Sequence, residues 1–166
     1  MTDLALLVLR LVTGLLLAGH GAQKLFGWFG GHGLAGTAGW LESLGFRPGR
    51  FWALLAGGCE FFGGLLLALG LFSPAGPLLI TAAMLTAVFK VHWPKLWVTQ
   101  GGFELPLTNL AVAAAVGMAG PGAYSLDALW GTALPSEVAR WGVLLVLAGW
   151  VIALLASSRR SAQPAA

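Results

Sequence analysis

The chain has 166 residues, of which 58% are hydrophobic and only 9% are charged, against about 25% charged in a soluble domain. Mean hydropathy is +0.85, with a formal charge of +3 and a pI near 9.6. These values exclude an ordinary soluble domain. Nucleic-acid binding is rejected as well: apart from Arg159 and Arg160, the basic residues stand singly at helix ends, as the positive-inside bias of membrane proteins places them. One cysteine, Cys59, rules out an internal disulfide framework and any CxxC redox motif.

A hydrocarbon core of ~30 Å takes about 20 apolar residues per helix, and the chain has room for four or five such spans. The first runs from about Leu4 to Leu25. Asp3 stands where a signal peptide carries basic residues and Arg10 interrupts the apolar run, so this helix is expected to be retained. Arg10 is expected to snorkel to the headgroups. Lys24 lies about 21 Å further along the axis at 1.5 Å per residue and serves the opposite end. His20 and Lys24, four apart, leave a helix from one face, with Gln23 beside them.

After the Gly-rich link GWFGGHG comes LAGTAGWLESLGF (34–46), too short to span. It reads as an interfacial or re-entrant helix anchored by Trp40, with Leu34, Ala38, Leu41 and Phe46 on its apolar side and Glu42 towards water. The second span covers about Phe51 to Phe72 and carries GGCEFFGG (57–64). Gly57, Gly63 and Gly64 lie three or four residues from Glu60, on its face. Small residues there admit a neighbouring backbone, which places Glu60 inside the bundle.

Ser73 reads as an N-cap and Pro74 as a first helical residue. The third span follows to about Val91 and closes with Lys90 and His92. WPKLWVTQGGF (93–103) is an interfacial loop, and the fourth span runs from Glu104 to about Gly120. A neutral-to-acidic loop, 121–137, leads to a fifth span at Val138 to Ala156 and a polar tail at 157–166. Counted on alternate sides, Lys24, Arg47, Arg50, Lys90, Lys95, Arg159 and Arg160 share one face of the membrane, and Arg10 and Arg140 the other. That bias puts the N-terminus outside and the C-terminus in the cytoplasm.

His20, Gln23, Lys24, Glu60, His92 and Glu104 are thereby expected at one end of the bundle. Four readings of this set stay open. It can be structural glue, with Glu60 paired to Lys24 and Glu104 to a histidine or to loop N–H groups. It can be a site for a lipophilic redox partner such as a quinone, with His20, His92 and Lys24 as donors and Glu60 or Glu104 relaying protons. A metal or haem site is chemically allowed, but no HxxH, HExxH or ExxH spacing supports it. A transport path lacks the paired broken helices of inverted repeats. His32 is expected to be exposed, and Cys59 to be a packing residue. No nucleophile–base motif such as GxSxG is present.

At these residues the chain resembles the DoxX family of small bacterial membrane proteins. The matching pieces are RLVTGLLLAGHGAQKLFGWFGGHGLAGTAGWLESLGF (10–46), LLAGGCEFFGGLLLALGLF (54–72), MLTAVFKVHWPK (84–95), GGFELPLTNLAV (101–112) and GPGAYSLDALWG (120–131). The resemblance covers about residues 4–131 and implies a four-helix membrane bundle, to which the helix at 138–156 is an addition. It also implies association with membrane oxidoreductase systems, since the related DoxD proteins are a subunit of a thiosulfate:quinone oxidoreductase and other members are linked to oxidative-stress and thiol homeostasis. It carries over His20, Gln23, Lys24, Glu60, His92 and Glu104 as site residues.

The expectation is therefore an all-α integral membrane protein of the bacterial inner (plasma) membrane. It consists of a four-helix DoxX-like transmembrane bundle (4–131), a short interfacial helix and a fifth, C-terminal transmembrane helix. Its expected partners are the lipid bilayer, redox proteins and a quinone. No metal site is expected, and no cofactor other than the quinone.

Overall fold

Apolar helices with single interruptions set the architecture. In a computed structural model, which describes residues 1–161 with side chains to residue 155, the described chain is helical and contains no strand. The tail at 162–166 and the side chains of Arg159 and Arg160 lie outside the described residues. α1 spans Thr2–Phe26, α2 Gly33–Ser43 and α3 Gly49–Leu69. α4 covers Ala75–Thr86 and widens into a π-helical turn at Ala87–His92; α5 is Glu104–Ala119, α6 Leu126–Trp130 and α7 Ser136–Ser161.

By length and composition, Thr2–Phe26, Gly49–Leu69, Ala75–His92 and Ser136–Leu155 can each cross a membrane. The sequence assigned the fourth span to 104–120; α5 covers the same stretch with 16 residues, about 24 Å at the helical rise, a shorter apolar helix than these four. The protein is a helical, multi-pass membrane bundle.

α1 and α3 form its closest pair. A Cβ on Gly14 would stand 2.6 Å from Gly64 O and one on Gly64 2.5 Å from Ala18 N, so the two backbones lie too close for either residue to carry a side chain without moving them apart. This is the close approach that the small residues around Glu60 predict. Leu17, Leu67, Ile80, Met84, Ala113 and Val116 form the main core between α1, α3, α4 and α5. α2 packs on the first turns of α3 through a second cluster of Leu41, Phe46 and Ala53. Glu42 is exposed as expected, and its Oε1 also accepts from the Gly49 N–H at 2.8 Å, satisfying one of the open donors at the α3 N-terminus.

α7 lies against α4, where Leu78 fills the space above Gly142 and Phe89 packs on Trp150 at 5.2 Å. α3 and α7 flank α4 on either side and scarcely touch one another. The cavity described below lies between them.

One end of the bundle is closed by the segment 120–131. Arg10 is 1% exposed and does not snorkel. Its guanidinium donates to the carbonyls of Pro121 and Tyr124, because a charge two turns inside an apolar helix is stabilised better by fixed acceptors than by a stretched stem. Asp127, also buried, accepts from Phe72 N and Ser73 N at 2.8 Å each and from Thr132 Oγ1 at 2.7 Å. This alters the expected helix start: Ser73 gives its backbone N–H to Asp127, Pro74 occupies the cap position, and α4 begins at Ala75 with no side-chain cap.

Candidate functional site

At the opposite end lies a cavity of about 480 Å³. Its wall is mostly aliphatic and aromatic, built by α2, by α3 from Phe51 to Glu60, by α4 and its π-turn, and by α7. The side chains of Lys24, Glu60, His92 and Cys59 supply its charged and ionisable groups.

Glu60 stands eleven residues into α3, about 16 Å along its axis, and is 3% exposed. It is buried there because Gly57, Gly63 and Gly64 leave no bulk on its face. Lys24 reaches it from the last turn of α1, and Nζ pairs with Glu60 Oε1. The second carboxylate oxygen, Oε2, is buried without a hydrogen-bond partner among the described residues. Lys24 itself is only half-buried, and an ammonium has three donors, so it retains donors beyond the one given to Glu60.

His92 arrives through the π-turn. Such turns shift the register of a helix end and recur at functional sites; here the turn brings both Val91 and His92 to the cavity. Its Nδ1 lies 2.7 Å from Gly101 O. A carbonyl only accepts, so Nδ1 carries the proton and Nε2 is the free acceptor of the neutral ring. Lys90, on the same turn, sits over the Phe46 ring at 5.9 Å, a cation–π contact that ties α4 to the link after α2.

The six residues singled out in the sequence thus separate. Lys24, Glu60 and His92 meet at one cavity. His20 is exposed, with Nδ1 3.1 Å from Gln23 Oε1, while Gln23 Nε2 donates to Phe29 O at 3.2 Å. These two fasten the α1 terminus to the following link and lie outside the cavity lining. Residues four apart on a helix are offset by about 40°, enough for Lys24 to turn inward while His20 turns out. Glu104 also lies outside it: Oε2 accepts from Val98 N at 2.9 Å and secures the loop that carries Gly101. His32 is exposed, and Cys59 is buried in the cavity wall. Among the described residues, no three His, Cys, Asp or Glu side chains come together as a metal centre requires.

Sequence reasoning missed two contributors. One is the π-turn, which no residue pattern announces. The other is α7, whose Trp150 lines the cavity with its indole Nε1 buried and unpartnered among the described residues.

The fold and cavity define a multi-pass helical membrane protein with an internal space of small-molecule size, since ligand sites commonly measure about 300–1,000 Å³. The family model described as DoxX matches residues 5–93, more than half of the chain, and the protein belongs to the DoxX family. The match takes in α1 to α4 with the π-turn; α5, the 120–131 segment and α7 follow it. No curated protein and no solved structure matches the chain.

Proposed function

We propose that the protein is the membrane subunit of a quinone-linked redox system and that the cavity between α3 and α7 holds the quinone ring. The observation that carries this reading is an apolar, aromatic-walled space ending on a buried ion pair with a spare carboxylate oxygen. A quinone has that complementary form: a flat apolar body with oxygens on its rim. Lys24 retains donors for a ring oxygen. His92, its Nδ1 held by Gly101 O, presents Nε2 as a proton acceptor. Glu60 is a second proton-holding group, kept from bulk water by its burial. When bound, the quinone supplies the two-electron chemistry that these side chains lack, and the electrons come from a partner protein. With seven basic residues on the cavity side against two on the other, the cavity end faces the cytoplasm, the N-terminus lies outside and the membrane is the bacterial inner membrane.

The direct pairing of Lys24 with Glu60 favours a second reading, a scaffold or small-molecule transporter in which the pair is structural or lines a path. Extraction of quinone from protein purified in mild detergent separates the two. Stoichiometric quinone in the wild type, lost from a folded His92→Ala variant, is the expected result. A quinone-free wild type, colourless in the visible range, overturns the redox reading in favour of the scaffold or transporter.

A further inference from the structure

The polar groups that line the cavity are mostly satisfied from within the chain. Lys24 Nζ is paired with Glu60 Oε1, His92 Nδ1 with Gly101 O, and the Thr86 hydroxyl donates to Ala82 O at 3.1 Å. Two buried atoms of the lining are left over among the described residues: Glu60 Oε2, an acceptor, and Trp150 Nε1, a donor. A buried polar group without a partner costs about 1–3 kcal/mol, and buried indole N–H groups usually find one. Both sit at the end of a broad, soft terminal torsion, so a small rotation turns either towards the lumen. Phe89 holds the Trp150 ring from the α4 side.

A donor and an acceptor discriminate differently between the two oxidation states of a quinone. Trp150 can donate to a ring oxygen whether that oxygen is a carbonyl or a hydroxyl. As the carboxylate paired with Lys24, Glu60 accepts at Oε2, and only the hydroquinone has an O–H to give it; the dione leaves this oxygen unpaired and sets two electron-rich oxygens against each other. Resting on the quinone reading above, we infer that Glu60 makes the cavity select the reduced, hydroxyl-bearing ring, while Trp150 anchors a ring oxygen in either state. Tighter binding of the reduced form makes the bound quinone a stronger oxidant, which suits a site where quinone is the electron acceptor. The anchor lies on α7, beyond the family-matched residues, so it is contributed by a helix outside that match.

The test uses the full chain in detergent micelles, with a decyl-substituted benzoquinone and its chemically reduced hydroquinone titrated anaerobically by calorimetry. The wild type is expected to bind the hydroquinone about tenfold more tightly, which raises the midpoint potential of the bound couple by about 30 mV. Trp150→Phe is expected to weaken both forms several-fold and to keep the preference. Glu60→Gln, with its amide oxygen facing Lys24, presents an N–H where the wild type presents an acceptor, so the preference is expected to reverse. Equal affinity of the two forms for the wild type, or a preference unchanged in Glu60→Gln, overturns the selection while leaving the quinone site standing. Failure of both forms to bind overturns the quinone reading together with it. Should Glu60→Gln not fold, the potential of the wild-type bound couple decides alone: no upward shift refutes the selection.

Discussion

The two ends of the bundle both bury charge and use it in opposite ways. At the Arg10 end, a long loop folds onto the membrane helices and supplies fixed partners. Two carbonyls meet the guanidinium, three donors meet Asp127, and the residual space beside Arg10 is about 10 Å³, barely the volume that one water needs. At the Lys24 end the ion pair borders a cavity of about 480 Å³, and one carboxylate oxygen remains without a partner. Each end keeps one atom of a buried charged group without a partner among the described residues, Arg10 Nε at the first and Glu60 Oε2 at the second. What separates them is room: the first is enclosed and the second borders a cavity.

The largest effect that tests this contrast belongs to the closed end. Asp127→Ala removes the acceptor of three donors and is expected to cost about 3–5 kcal/mol, read as a lowered midpoint in detergent or SDS unfolding. Quinone content in the fraction that stays folded should be unchanged, and a loss matching that of His92→Ala would show that the two ends are not separate. Lys24→Met comes next. It leaves Glu60 uncompensated, but Lys24 is partly exposed, so about 2–3 kcal/mol is expected. The double change Lys24→Met/Glu60→Gln should return stability to within about 1 kcal/mol of wild type without restoring ligand. Recovery of both would make the pair a purely structural one. The smallest effect is assigned to His20→Ala, which removes an exposed ring bonded only to Gln23. A stability change within about 0.5 kcal/mol and less than a twofold change in quinone affinity are expected. A larger loss would extend the site beyond the cavity.

Helix spacing made the Lys24–Glu60 end partly readable in advance. Glu60 with glycines three and four residues away has a small-residue face, and such a face is where a second helix approaches. The same rule misjudged His20, because four residues share a face only to within the helical offset, and that offset separates an inward lysine from an outward histidine. Arg10 was unreadable for another reason. Its acceptors are main-chain carbonyls at Pro121 and Tyr124, more than a hundred residues away, and a carbonyl leaves no mark in the sequence. α7 is apolar on every side, so periodicity gives it no inward face. Nothing distinguishes Trp150 among eight tryptophans until packing on Phe89 fixes it.

A mostly apolar cavity walled by membrane-crossing helices has a kinetic meaning. A lipophilic molecule that reaches it from the bilayer travels in two dimensions, within one leaflet, and never crosses bulk water. Occupancy is then governed by the ligand's mole fraction among the lipids. Diluting the protein with fresh bilayer or detergent should empty the cavity even when the aqueous volume is held constant.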